Sequence, residues 1–262
     1  MIMLVFASVA LSEENFYVGV LARLNMDEEQ YRNFVMDGRE NVGWNFLSHS
    51  GETFKYYDSL LSLQLALNAG EVGEVQLPEI IAEYLVNSNP GKYTVSCVTQ
   101  VRPTYLAFGF LPKNEALRDR FNEAITGIAE DGTLNRLLAE YITNVEGVKR
   151  VNPEHFDGAE TIKVALTGDL PPIDYAAEDG TLVGYNVALL TEIGKKLKVN
   201  IEMLDIDAGG RNAALASGRV DVVFWYSVTR DVDVQPDVPD GIILSREYYS
   251  WNKFLHVKLK GK

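Results

Sequence analysis

Short apolar runs of strand length alternate with stretches of helical period along most of this chain. That alternation confines it to an α/β architecture before any residue is given a role. Strand-like runs stand at 16–21, 54–57, 72–77, 106–111, 162–166, 201–204, 220–224 and 248–257. Between them the period changes. Leu117, Phe121, Ile125 and Ile128 recur at i, i+4, i+8 and i+11, and Val187, Leu190, Ile193 and Leu197 make a second stripe. Each is the mark of one buried helix face.

Local start and stop signals frame these segments. Asp58-Ser59 caps a helix at 60–68, which Gly70 ends. Pro78 opens the next helix, where its missing N–H costs nothing, and Ile81, Tyr84 and Leu85 follow at helical spacing. Asn114 caps the Leu117 helix and Asp131-Gly132 closes it; Thr133 is expected to cap the one after. Shorter helices are expected at 27–35 and 211–217, and 44–50 is ambiguous. The motif A-L-x-x-G-x-V occurs twice, at 66–72 and 214–220, each time as a helix that stops on Gly and feeds a strand.

A polar stretch with no apolar period, NVEGVKRVNPEHFDGAE at 144–160, separates two halves and reads as a linker. The chain's 262 residues suit one large or two small domains. The apolar run at 1–11 is read as a buried strand. The alternative, a secretory-signal remnant, lacks the basic residues that precede such a segment.

Charge excludes some partners. Lys+Arg number 24 against 37 Asp+Glu, a net charge of −13, and no basic block offsets it. Nucleic acid and anionic membrane surfaces are therefore excluded as main partners. The single Cys97 allows no intrachain disulfide and no Cys-rich metal site, and reads as a small buried hydrophobe. No apolar run reaches the roughly 18 residues needed to cross a bilayer as a helix. The three histidines, His49, His155 and His256, are far apart and none is in an H-x-x-x-H pair. No G-x-S-x-G elbow or phosphate-binding P-loop is present. No catalytic residue, metal ligand or cofactor is assigned.

Residues 161–230 then bring a resemblance. TIKVALTGDLPPIDYAAEDGTLVGYNVALLTEIGKKLKVNIEML followed by AALASGRVDVVFWYSVTR is similar to the first lobe of bacterial extracellular solute-binding proteins of family 3, the type II periplasmic binding fold of amino-acid ABC transporters. The shared order is strand, D-x-P-P loop, G-[FY]-[DN]-V-x-L helix start, and A-L-x-[SA]-G-[KR]-V-D before a strand. SREYY at 245–249 resembles the segment leading into a crossover strand. In the first half, 56–85 resembles the family's second lobe, and 105–141 its closing strand and two helices with a D-G-T-L turn.

The pieces stand in a different order, the closing helices before the opening strand. The resemblance therefore implies a circular permutation, with second-lobe residues in 1–104, closing elements in 105–143, a joining linker at 144–160, the first lobe in 161–250 and a crossover strand in 251–262. Two incomplete tandem copies are the alternative. The implied fold is two α/β lobes joined by crossover strands near 106–111 and 251–257, closing by a hinge on a small polar solute.

What the resemblance implies about the site is specific. Asp169, Pro171, Ile173 and Tyr175 come from the double-proline loop, with Ile173 where an aromatic often stands. Trp225, Tyr226, Ser227, Thr229 and Arg230 end the following strand; the family has T-x-x-R, whose Arg clamps a ligand carboxylate, whereas here Arg230 follows Thr229 directly. The family's amine-binding Asp falls on Pro78, which leaves Glu79 beside it, and Tyr249 adds an aromatic on the hinge side. The implied partners are a small solute and an ABC permease or membrane sensor, for an extracytoplasmic monomer. An enzyme resembling the cyclohexadienyl dehydratases and the sensing domain of a receptor are the alternatives.

Overall fold

The computed structural model describes residues 17–21, 29, 53–143, 147–230 and 238–261. The run at 1–11, the segment at 44–50 and, apart from residue 29, the helix expected at 27–35 lie outside the described residues.

The first half contains β1 (Tyr17–Leu21), β2 (Thr53–Tyr57), α1 (Leu60–Ala69), β3 (Glu74–Pro78), α2 (Glu79–Ser88), β4 (Tyr93–Phe110), α3 (Glu115–Glu130) and α4 (Thr133–Leu138). The second half contains β5 (Thr161–Leu166), β6 (Asp169–Leu170), β7 (Asp174–Ala176), β8 (Leu182–Val183), α5 (Tyr185–Leu197), β9 (Asn200–Asp205), α6 (Arg211–Ala216), β10 (Val222–Thr229), β11 (Ile243–Leu244) and β12 (Tyr249–Leu259). Helices flank one large mixed sheet, ordered β2-β1-β3-β12-β4-β10-β5-β9, with β11 on the edge of β4; β6, β7 and β8 form a small antiparallel sheet of their own. The α/β class expected from the alternating pattern is present, in the two-lobed form that the resemblance implies.

One lobe is the parallel group β2-β1-β3, and the other is the parallel group β9-β5-β10. The long antiparallel pair β4 and β12 joins them. At one end β12 pairs with β3, from Phe254↔Pro78 to Val257↔Val75; at the other, β4 pairs with β10 through Thr104↔Thr229 and Leu106↔Ser227. Between these ends the β4–β12 register jumps, from Trp251↔Thr104 to Lys253↔Gln100. Val101, Arg102 and Pro103 bulge opposite Asn252, so the change of lobe coincides with a break in the ladder. Pro103 fits there because a bulge leaves an N–H unneeded.

β4 is the main departure from expectation. Only its last turn of sequence, LAFGF, reads as an apolar strand. The polar run before it is strand too, because β12 supplies partners along its whole length. Cys97, on that polar part, is half-buried rather than buried.

The described helices lie where their local signals place them, with corrections at three starts: Pro78 ends β3 and holds the cap position of α2 rather than its first turn, Asn114 at the start of α3 makes no side-chain cap bond, and the cap of α4 moves. Ser59 caps α1: its hydroxyl accepts from Ser62 N at 3.1 Å while Ser62 Oγ accepts from Ser59 N at 3.3 Å. Gly70 ends α1 in the left-handed region at φ 78°. The cap residue of α4 is Gly132, not Thr133, whose N–H is instead held by Asp131 Oδ1 at 3.0 Å. Leu63 and Leu67 of α1 and Ile81 and Leu85 of α2 share a core with Val75 and Leu77 of β3. In the other lobe Phe121 of α3 packs edge-on to Phe108 and Phe110 of β4, with centroids 5.4 and 5.3 Å apart. The elements before the linker therefore complete the core of the lobe after it. Among the described residues no helix is long and apolar enough to cross a membrane.

Candidate functional site

Parallel strands aim the loops after their C-terminal ends at a common edge, where ligands of open α/β sheets sit. In the lobe of β5 these loops are 167–174, 206–210 and the end of β10. In the lobe of β3 they are the starts of α1 and α2.

The 167–174 loop is built around one carboxylate. Asp174 is completely buried and accepts from Thr167 N at 3.1 Å, Thr167 Oγ1 at 2.9 Å, Gly168 N at 2.8 Å and Asn186 Nδ2 at 3.0 Å. Burial nevertheless raises its pKa from 3.8 to about 6. Gly184 closes the other side. A Cβ there would lie 2.6 Å from Ile173 O, and its φ of +115° is open only to glycine. The tether makes β6 and β7 a rigid hairpin.

That hairpin meets the opposite lobe. Asp169 lies directly across from Tyr175 in the β6–β7 pair, so both side chains share a face. The Tyr175 ring contacts Tyr84 of α2, centroids 6.0 Å apart at 50°. Burial, with Tyr84 beside it, pushes the Tyr175 hydroxyl pKa up. Glu83, the residue before Tyr84, and Glu79, one helical turn before Glu83, lie near Tyr249 of β12, whose pKa is raised by burial and by these two carboxylates. Tyr249 also faces Tyr185, 6.0 Å between centroids. Lys253 Nζ donates to Glu79 Oε1 at 2.9 Å. The Asp169 carboxyl is raised chiefly by burial, with Thr167 opposing and Asp205 and Asp207 adding to the rise. Glu83 is raised by partial burial and by Glu79, against Lys253.

Of the residues singled out from the sequence, Tyr175 meets the other lobe through Tyr84, Glu79 lies near Tyr249 across α2 and β12, and Asp169 pairs with Tyr175 and neighbours Asp205 and Asp207 within its own lobe. Pro171 is half-buried at the turn after β6, and Ile173, 2% exposed, is core. Trp225, Tyr226, Ser227 and Thr229 are buried in β10. Trp225 sits at φ +32° where the β10–β4 register shifts, and Thr229 Oγ1 is 3.5 Å from Thr104 Oγ1. Arg230 is exposed and pairs elsewhere: its Nε and Nη2 donate to Glu247 at 3.3 and 2.7 Å, and its guanidinium lies 4.4 Å from the Tyr105 ring centroid.

Two groupings were not read from the sequence. Arg211, 3% exposed, donates from Nη1 to Trp225 O at 3.0 Å and lies over the Tyr226 ring. Its position in an apolar helix register was the available signal. In the lobe of β3, His256 Nδ1 is 2.6 Å from Glu74 Oε1, and His256 Nε2 is 3.2 Å from Thr99 Oγ1. These residues are 180 positions apart in places, and no spacing rule joins them. Among the described residues no group of three or more His, Cys, Asp or Glu side chains is placed to hold a metal ion.

Residues 162–233 match the sequence model of the bacterial extracellular solute-binding proteins, family 3. No curated protein matches the chain. Among solved structures, the ligand binding component of an ABC-type import system from Staphylococcus aureus with zinc bound is similar at 13% identity and a TM-score of 0.46, over 94% of this chain and 66% of that one. The PBP AgaA of A. tumefaciens R10, in complex with agropinic acid, is similar at 10% identity and 0.44, over 80% and 55%. The VFT2 domain of BvgS from Bordetella pertussis is similar at 11% identity and 0.44, over 94% and 81%. The chain thus spans less than two thirds of the length of the first two. Likeness at these levels carries no argument about ligand or partner.

Proposed function

We propose that this chain, one lobe of which carries the family 3 solute-binding sequence, captures a small polar solute between its lobes and presents the closed form to a membrane partner, an ABC permease or a membrane sensor, outside the cytoplasm. The observation that carries the reading is the position of the matched segment. It forms the lobe of β5, β9 and β10, and its 167–174 loop meets α2 of the other lobe through Tyr175 and Tyr84. A solute held there touches both lobes, so binding and closure are one event. The bulge at 101–103 is the place for the hinge, because the ladder is already broken there.

The reading is of a binding protein that acts as a monomer. His256, the buried histidine among the described residues, pairs with Gln76 and Cys97 in mid-strand, away from the strand ends where a general acid would meet a solute. The order of the elements supports a single permuted unit: β12 of the second half fills the gap between β3 and β4 of the first, which two independent copies would leave open.

A thermal-shift screen against amino acids, amines, small organic acids, sugars and oxyanions tests the reading. A ligand at a hundred times its Kd stabilises the native state by about 2.7 kcal/mol. No shift with any member at millimolar concentration would count decisively against a solute-binding role.

A further inference from the structure

The chain between β11 and β12 is fastened to α3 of the same lobe, and a recess of about 480 Å³ opens there, lined by Asn122, Thr126, Ser245, Arg246 and Glu247. Small-molecule sites span roughly 300–1,000 Å³. None of the lining residues belongs to the 167–174 loop, to α2 or to β10. Hydrogen-bond capacity decides what this recess can take. Arg246 is held at three atoms: its N–H donates to Asn122 Oδ1 at 2.6 Å, its carbonyl accepts from Ser245 Oγ at 2.7 Å, and its Nη1 donates to Thr126 Oγ1. The acceptors of the lining are engaged. The Thr126 hydroxyl proton goes to Asn122 O at 2.7 Å, Ser245 Oγ accepts from Phe108 N at 3.0 Å, and Glu247 accepts from Arg230 through both oxygens. Donors remain: the Nε and Nη2 edge of Arg246, and Asn122 Nδ2, left over once Oδ1 faces Arg246 N.

Charge is an independent observation. Arg118, Arg120, Arg136, Arg150 and Arg230 each pair with a carboxylate, whereas Arg246 makes no ion pair among the described residues. Glu247 is neutralised by Arg230, and Asp119, one turn before Asn122 on α3, by Arg118 at 2.6 Å. Glu123 and Glu130, the other carboxylates near this stretch of α3, do not line the recess. The lining is therefore positive by one charge, in a chain of net charge −13. An exposed arginine with a fixed guanidinium loses side-chain freedom, and here no carboxylate offsets the loss.

We propose that this recess is a second binding site, for a small molecule that bears an oxyanion, a carboxylate or a phosphate. The Nε and Nη2 donors of Arg246 form a fork that matches two oxygens of such a group. Asn122 Nδ2 adds a third donor, and Thr126 holds the guanidinium in place before the ligand arrives. The site does not depend on the solute-binding reading, because it shares no residue with the interlobe contact.

Titration of the full chain with sodium phosphate and, separately, sodium acetate tests the proposal, with chloride holding the ionic strength constant. The readout is the NMR signals of Arg246 Nε–H and Asn122 Nδ2–H. Saturable shifts are expected with at least one ion; phosphate alone assigns a phosphoryl ligand and acetate alone a carboxylate. Arg246→Gln is expected to weaken that ion at least tenfold, about 1.4 kcal/mol. Thr126→Val keeps the charge and the shape but frees the guanidinium, and is expected to weaken it by less. Arg219→Gln removes the same charge from an exposed position between α6 and β10 and is expected to leave the affinity unchanged. Shifts that do not saturate would overturn the site, as would an affinity unchanged by Arg246→Gln. A loss as large in Arg219→Gln would show general attraction to positive charge and overturn it too. A solute held between the lobes is read separately, since its thermal shift survives Arg246→Gln.

Discussion

Asp174→Asn has the sharpest expected signature. Two effects oppose each other at this carboxyl. Four donors between 2.8 and 3.1 Å favour the charged form, and complete burial disfavours it. Burial wins, and the pKa rises from 3.8 to about 6. Between those values the native state binds the proton that the unfolded chain has released. The contribution of this carboxyl to stability is therefore fully present below about pH 4 and is lost as the pH rises through 6. The whole loss for a rise from 3.8 to about 6 is about 3 kcal/mol.

Asparagine keeps the shape and cannot ionise. Its oxygen serves the three donors on Oδ1. Its amide nitrogen faces Asn186, whose Oδ1 is buried with no hydrogen-bond partner among the described residues, so a turn of the Asn186 amide supplies an acceptor. Urea unfolding at pH 4, 5, 6 and 7.5 is the assay. The stability of the variant minus that of the parent is expected to grow by about 2.4 kcal/mol across this range, or roughly 2–4 °C of melting temperature per kcal/mol for a chain near this size. A difference independent of pH would refute the reasoning, as would one that shrinks with rising pH. Either result would mean that the four donors, and not burial, govern the carboxyl.

Gly109→Ala tests the close approach of β4 to β10. A Cβ there would sit 2.0 Å from Tyr226 Cε2, and the Tyr226 ring is wholly buried with its hydroxyl bonded to Asn212 Oδ1. Overpacking of this kind costs about 1–3 kcal/mol in denaturant unfolding, and an unchanged midpoint would contradict the fit described. Ser59→Ala removes the α1 cap and is expected to cost about 1 kcal/mol by the same measurement; a loss below a few tenths would mean that water serves the Ser62 N–H as well.

Much of the fold was legible because its causes are local. The period of Leu117, Phe121, Ile125 and Ile128 marks α3, of which Phe121, Ile125 and Ile128 are buried. Gly70 and Gly218, the two glycines of the A-L-x-x-G-x-V repeat, both adopt the left-handed conformation that ends a helix. The alternation of strand and helix is itself a local property. β4 was legible only at its apolar end, since the polar stretch from Tyr93 owes its strand conformation to ladder bonds with β12, more than a hundred residues away. Thr133 was given a cap's role that belongs to Gly132, because a preferred cap residue one position too late looks the same in sequence.

The candidate site divides in the same way. Asp169, Tyr175, Glu79 and Tyr249 were nameable through the resemblance to the family 3 proteins. That Tyr175 meets Tyr84 depends on which face of α2 turns towards the β6–β7 hairpin. Arg230 shows the limit most clearly. The resemblance implies a carboxylate clamp near it, yet Glu247, 17 residues later, accepts from its Nε and Nη2. Sequence by itself determined the α/β class and, to within a residue or two, the extents of α1, α3 and α5, because period and turn residues act over a few positions. Tertiary structure alone decided which charges are compensated and which rings face each other. Those outcomes depend on distances of a few ångströms between residues that the chain brings together only on folding.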